Sequence, residues 1–341
     1  MNIVITGGAG FIGSNLAAYY LRRRDSVIIF DNFSRNGSVK NLAWLKTLGG
    51  KLEIIKGAVT IEKDVARLMF PFKSADAIFH LAAQVAVTTS VENPRDDFMT
   101  NALGTLNILE AMRHAKSQAK FIYSSTNKVY GNMEHVKIVQ EKNRYAYKNL
   151  PYGVSESVLL DFHSPYGCSK GAADQYVRDY SRIYGLDTVV FRQSCIYGPR
   201  QFGVEDQGWI AWFMIATVLG KKLTIYGDGK QVRDILYVDD LVLAYDMALK
   251  YKEETRGKIY NIGGGRAFSM SIWGEFRPIL EKLFGHTLDV EFSDWRPGDQ
   301  FIYISDIRKA QNDFGWEPRI SVVDGIDRLY RWVSKNKLLF L

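Results

Sequence analysis

Thr6-Gly7-Gly8-Ala9-Gly10-Phe11-Ile12-Gly13 decides the fold class of this chain. The apolar run Asn2–Thr6 ahead of it reads as a short strand, and residues 11 to about 23 behind it read as a helix. Glycines at a strand-to-helix junction permit a tight turn. They also let a pyrophosphate approach the backbone and leave the helix N-terminus facing it. Such a fingerprint alone also suits a plain tight turn, and the Gly-x-x-Gly-x-x-Gly spacing differs from the dehydrogenase form, so its context has to carry the reading.

That context follows downstream. Residues 26–30 (ending at Asp31), 52–55, 77–80, 121–123 and 188–192 read as strands. Helical patterns separate them, clearest over 101–116 and in a long helix that begins near Tyr166. Strands alternating with helices imply a parallel sheet covered on both faces, hence an α/β fold of the doubly wound Rossmann type. After Tyr197-Gly198-Pro199 the pattern changes. Residues 209–219 read as a helix and Leu223–Tyr226 as a short strand before the Gly227-Asp228-Gly229 turn. A further helix starts at Val238, Tyr260-Asn261-Ile262-Gly263 reads as a late strand returning to the main sheet, and residues from about 268 form a small mixed lobe. The expected division is a dinucleotide-binding domain over 1–195, its sheet completed by parts of 230–265, and a mainly substrate-binding lobe over 196–341. The polar and aromatic stretch 132–164 reads as an insertion of the lid or binding-loop kind.

Composition narrows the function. Of 341 residues, 47% are hydrophobic and 24% charged, as in soluble globular proteins. The formal charge of +7 is spread among interspersed acids and bases, with no basic stripe, so nucleic acid is not an expected partner, whereas an anionic small ligand is compatible. Two cysteines, Cys168 and Cys195, and five histidines without ligand spacing predict neither a metal site nor a disulfide framework. They point to a reducing, cytoplasmic compartment. A strand pattern from residue 2 leaves no room for a signal peptide, and no apolar run reaches the ~18 residues of a membrane span.

Two further stretches carry chemistry. In Tyr166-Gly167-Cys168-Ser169-Lys170 the tyrosine and lysine stand one helical turn apart on the same face. A nearby ammonium lowers a phenol's pKa and makes the tyrosine a usable base. Tyr123-Ser124-Ser125-Thr126 follows the fifth strand, at the carboxyl end where parallel sheets deliver catalytic groups. A hydroxyl there, with Tyr166 and Lys170, is a set for moving a hydride and a proton together. Asp31 stands near the ~20-residue offset at which an acid meets the adenosine ribose. A carboxylate there accepts from a 2′-hydroxyl and repels a 2′-phosphate, favouring NAD over NADP. Arg35 nearby works against that preference, and Asp31 also suits a plain turn before Asn32.

These stretches, with His80-Leu81-Ala82-Ala83, resemble the extended short-chain dehydrogenase/reductase family of nucleotide-sugar enzymes, from residue 2 to about 335. A closer likeness, to the CDP-sugar 2-epimerases within that family, lies in 124–131, 161–176, Gln201-Phe202, Asp206-Gln207-Gly208-Trp209 and 229–234. The resemblance implies NAD, held by Gly7, Gly10, Phe11, Ile12, Gly13, Asp31, Asn32, Ser34, Arg35, Val59, Leu81, Ala82, Gln84, Asn101, Ser124, Tyr166 and Lys170. It implies Thr126, Tyr166 and Lys170 as the catalytic set. Tyr166 would take the proton from a sugar hydroxyl and Thr126 would share a short hydrogen bond with that oxygen. Lys170 would bind the nicotinamide ribose and keep Tyr166 acidic. For a 2-epimerase the hydride leaves C2, the keto sugar rotates about its phosphate linkage, and the hydride returns on the other face.

The implied substrate is a nucleotide-diphosphate sugar, CDP-, GDP- or UDP-linked. Thr126, Gln193, Ser194, Gln201, Arg233 and Arg296 would bind it, the two arginines on the diphosphate. Arg200 is a weaker candidate, and Trp209 and Trp212, at helical spacing, read as core. Family analogy also implies a homodimer through helices near 101–116 and 166–184. Epimerisation at C4 of a UDP-sugar and net NAD-dependent sugar reduction use the same set and stay open. Two departures stand out. Related dehydratases and decarboxylases carry an acid after the hydroxyl residue, where this chain has Asn127 and Lys128, which disfavours elimination of water or simply shapes the loop. Where the family has Gly-Asp-Ile against the adenine amino group, this chain has Gly57-Ala58-Val59, which predicts weaker or shifted adenine binding.

Overall fold

The computed structural model describes residues 1–296 and 299–341. Among the described residues, seven strands form the central sheet: β1 (Asn2–Thr6), β2 (Ser26–Asp31), β3 (Lys51–Lys56), β4 (Ala77–His80), β5 (Lys120–Thr126), β6 (Thr188–Gln193) and β7 (Lys258–Ile262). Their order is β7-β6-β5-β4-β1-β2-β3, and every neighbouring pair is parallel. The chain winds outward from β1 through β2 to β3 in one direction and from β4 to β7 in the other. The switch point therefore lies between β1 and β4, where the crevice outside the carboxyl ends of an open sheet receives a ligand.

Successive side chains of each strand serve opposite faces, as the pleat requires. Ile3, Ile5, Val27, Ile29, Phe79, Val189 and Phe191 pack against Leu16, Tyr20, Leu241 and Tyr245 of helices Phe11–Arg22 and Val238–Lys250. Val4, Phe30, Ile78, Phe121, Tyr123 and Val190 meet Ile108, Met112, Ala173 and Val177 of helices Gly104–His114 and Ser164–Tyr184. Burial on both faces is why these strands read as continuous apolar runs rather than as alternation. The helical pattern expected from residue 101 starts differently: Met99–Leu103 is a π turn ahead of the α-helix. Thr105 Oγ1 donates to Asn101 O (2.6 Å), and the Asn101 amide is drawn into a polar cluster described below. The late strand, β7, pairs with β6 at the edge of the sheet.

Outside the central sheet, strands Val232–Asp234, Ser269–Ser271 and Ile302–Tyr303 form one small sheet, and Leu223–Tyr226 pairs with Val290–Ser293. Helix Trp209–Val218 contributes Ile210, Phe213 and Met214 to their core, beside Trp273, Phe276 and Leu329. The 132–164 insertion holds a hairpin, Ile138–Gln140 with Tyr145–Tyr147, that is stitched to this lobe. Tyr145 N donates to Lys230 O (3.1 Å), Tyr147 OH to Ile302 O (2.9 Å) and Val154 N to Ile304 O (2.8 Å). Among the described residues, none of the insertion lines the cavity described next, so it braces the lobe rather than covering that cavity. No described helix is long and apolar enough to cross a membrane.

Candidate active site

The glycine turn closes the C-terminal end of β1. Gly7 adopts φ +69°, and a Cβ on it would stand 2.6 Å from Ala82 N, so both conformation and contact require glycine. A Cβ on Gly13 would overlap Gly7 O. Helix Phe11–Arg22 begins at Gly10 with no side-chain cap, which leaves its first backbone N–H groups available to an anion. Asp31, at the end of β2, is buried, and its two oxygens accept from Ala9 N (2.9 Å) and Phe33 N (2.8 Å). Burial raises its pKa and the two backbone bonds oppose that. Asn32 Oδ1 accepts from both the amide and the hydroxyl of Ser34, ordering the following turn.

These groups line one cavity of about 680 Å³ together with Phe11, Ile12, Val59, Leu81, Ala82 and Gln84. Ser124, Thr126, Tyr166, Lys170, Gln193 and Gln201 line the same cavity. A glycine cradle that admits no side chains, an open helix N-terminus and a buried carboxylate one strand away fit a dinucleotide in chemistry and shape. Ala58 and Val59 close the far end: Ala58 N donates to Asp64 Oδ2 (3.0 Å) and Asn107 Nδ2 to Val59 O (2.9 Å). No carboxylate of residue 58 is there to meet an adenine amino group.

Thr126 ends β5, and its Oγ1 accepts from Lys128 N (3.2 Å). Tyr166 lies in the first turn of helix Ser164–Tyr184, its N–H donating to Ser90 Oγ (3.2 Å). Burial pushes the Tyr166 phenol up to about 12; the groups that pull it down are Thr126, through a hydrogen bond, and the Arg35 guanidinium. Lys170 Nζ donates to Ser124 O and lies 4.3 Å from the centre of the Tyr123 ring. Burial lowers its pKa to about 7, against the opposing pull of Asp174 and Asp97.

Those two carboxylates were not visible as site residues in the sequence. Asp174 pairs with Arg192 (2.9 Å), both buried, and accepts from Ser125 Oγ (2.8 Å). Asp97 accepts from Ser169 Oγ and from Asn101 Nδ2 (3.2 Å). Asp174 falls one helical turn after Lys170, a spacing that could have flagged it. Asp97 has no local signal. His80, between Thr6 Oγ1 (2.6 Å) and Thr105 Oγ1 (3.0 Å), is held neutral by burial and by the Lys170 charge, with a pKa lowered to about 3.

Four expected residues do not line the cavity. Asn101 stands behind it: its Oδ1 accepts from Gln84 N (2.9 Å) and its Nδ2 donates to Gln84 O (3.1 Å), so it positions Gln84. Ser194 turns toward the lobe, its Oγ donating to Asp234 O (3.4 Å). Arg233 pairs with Asp299 (2.6 Å), and Arg296 pairs with Asp206 (3.1 Å) while lying over the Tyr226 ring (3.8 Å). Both arginines therefore sit on the lobe with carboxylate partners. Lys128, whose pKa burial and Arg233 lower to about 8, links that region to Thr126. Arg35 bonds to Gln207. Trp209 lines the cavity but packs edge-on to Phe213 and Phe276, and Trp212 also joins the lobe core.

The chain matches the family model of GDP-mannose 4,6 dehydratase over residues 4–329 and belongs to that family, within the nucleotide-sugar epimerases and dehydratases of the extended short-chain dehydrogenase/reductase type. CDP-paratose 2-epimerase of Salmonella typhi is 47% identical over 341 residues, spanning 98% of this chain and 99% of that one. UDP-glucose 4-epimerase of Thermotoga maritima, solved with UDP-glucose, superposes with a TM-score of 0.84 at 32% identity, covering 98% and 99% of the two chains. A dTDP-glucose 4,6-dehydratase of Streptomyces venezuelae with NAD bound gives 0.84 at 29%, covering 99% and 98%.

Proposed function

We propose that this protein is a nucleotide-diphosphate-sugar 2-epimerase that takes a CDP-linked deoxyhexose of the paratose or tyvelose kind and works through bound NAD. The observation that carries this reading is the end-to-end 47% identity with CDP-paratose 2-epimerase. The cavity supports it chemically. Its glycine turn and Asp31 would hold the dinucleotide, with Gln84 and Ser124 along its length. NAD there supplies a hydride acceptor that can give the hydride back, so no second substrate is consumed.

The chain's own groups handle the proton. Tyr166, ionised, takes the proton of the sugar hydroxyl as that carbon loses hydride, and returns it when the carbonyl is reduced on its other face. The Thr126 hydroxyl favours the phenolate by its hydrogen bond and so offsets part of the cost of burial. Lys170, anchored on Ser124 O and the Tyr123 ring, brings positive charge to the same wall. Asn127 and Lys128 follow Thr126 where an acid would be needed to expel water from the neighbouring carbon, so the sugar keeps its oxygens. Arg233 and Arg296 would take the diphosphate, exchanging or sharing their present carboxylate partners.

In this reading residues 1–195 with β7 serve the dinucleotide and the rest mainly serves the sugar nucleotide, in the cytoplasm. Helix Ser164–Tyr184 leaves Tyr176, Ile183 and Tyr184 exposed, which favours a homodimer through that face; only monomer in light scattering would refute it. A second reading, epimerisation at C4 of a UDP-sugar, draws on the likeness to the Thermotoga enzyme. NMR of the protein with CDP-, GDP- and UDP-hexoses, CDP-linked deoxyhexoses included, in D2O separates them. A C2 epimer without deuterium at C2 is expected. A C4 epimer selects the second reading, and deuterium at C2 overturns hydride return.

A further inference from the structure

Residues 199–203 cross from the lobe to the dinucleotide-binding half and place Arg200, Gln201, Phe202 and Gly203 in the cavity wall. Their backbone is tied to the glycine turn. Asn15, in helix Phe11–Arg22, donates from Nδ2 to Pro199 O (2.9 Å). Buried Asn41 donates from Nδ2 both to Ala9 O (3.2 Å) and to Arg200 O (3.2 Å), joining the turn to the crossing segment.

The side chains are tied down as firmly. Arg200 adopts φ +69°, a left-handed conformation unfavourable for a residue with a Cβ. Its guanidinium carbon lies 4.2 Å from the Trp44 ring centre and 5.6 Å from that of Trp332. Phe202 sits directly on Gly37, which has φ +80°, so that any Cβ there would overlap the phenyl ring. The ring centre is 5.3 Å from Phe340 and 6.4 Å from Trp332, with the Lys40 ammonium 5.7 Å away. A strained backbone persists where its surroundings over-determine it, and here the surroundings are two tryptophans, a glycine seat and two asparagine ties.

We propose that residues 199–203, seated on Trp44, Trp332, Gly37 and Phe340, form a strap that retains the dinucleotide through successive turnovers, with Arg200 and Phe202 as its positioning residues. The inference rests on the reading above. An epimerase that oxidises and then reduces the same carbon must keep its reduced cofactor while the keto sugar turns over, because loss at that stage ends the cycle with an oxidised sugar. In this proposal a dinucleotide held between the glycine turn and the strap is released as the strap's contacts break, so retention becomes a matter of dissociation rate.

The test loads full-length wild type, Phe202→Ala and Arg200→Lys with NAD and removes the excess by gel filtration. Release is then followed by the fluorescence of NADH formed by a trapping dehydrogenase. Arg200→Lys keeps the charge and loses the planar stacking, so it serves if Phe202→Ala does not fold. Release at least tenfold faster from a folded variant than from wild type is expected. Equal release from variants that bind NAD and epimerise overturns the strap alone, as does wild-type exchange faster than turnover. Failure of every form to bind NAD overturns the proposed function as well.

Discussion

Lys170→Met should leave the protein more stable at neutral pH while stripping it of activity. Burial takes the Lys170 ammonium from 10.5 to about 7, and the residue is only 3% exposed. At about 1.4 kcal/mol per pKa unit, holding that charge inside at or below neutral pH costs roughly 4–5 kcal/mol as an upper figure. An uncharged methionine of similar length escapes that penalty, so the variant should melt a few degrees higher. The folded state gives up this proton near pH 7, whereas the unfolded chain keeps it to about 10.4. Across that window the unfolded state binds more protons, so this group makes wild-type stability rise with pH. The variant lacks that slope, and its advantage should be greatest below pH 7 and vanish near pH 10. Scanning calorimetry of dinucleotide-free protein at several pH values measures the gap, with epimerisation followed in parallel. A variant less stable than wild type at about pH 6, or a gap that ignores pH, would refute the reasoning.

Tyr166→Phe should lower turnover by about 10²–10⁴ with Tm little changed, as expected for loss of a positioned base. Because Tyr166 must ionise and Thr126 pulls its pKa down, activity should rise with pH, and Thr126→Val should move that rise to higher pH; an unmoved pH–rate profile would remove Thr126 from the proton path. Asp31→Ala removes the acceptor of Ala9 N and Phe33 N along with its charge, and should narrow the preference for NAD over NADP in fluorescence titrations. An unchanged ratio would reduce Asp31 to a turn former. Ala58→Asp should tighten NAD in calorimetric titration, by less than a lone new carboxylate would because Asp64 already lies against the residue 58 amide; unchanged affinity would count against a role for a carboxylate at this position.

Much of this protein was legible along the chain because its signals are local. Buried parallel strands are apolar runs, a strand-to-helix turn against a neighbouring backbone needs glycine at Gly7, and a tyrosine and lysine four apart share a helix face by geometry. The fold class, the glycine turn and the shared helix face of Tyr166 and Lys170 follow from such short-range constraints, whereas Thr126 was singled out by family resemblance and Asp31 stayed open as a turn former. Tertiary structure decided the rest, where residues distant in sequence meet. Asp97 supports Lys170 from another helix, and Asn101 turned out to stand behind Gln84. Arg233 and Arg296 were drawn to Asp299 and Asp206. The insertion 132–164 joined the lobe instead of the cavity. The direction of each pKa was likewise beyond the sequence, since burial, the largest influence on both Tyr166 and Lys170, exists only once the whole chain has closed around them.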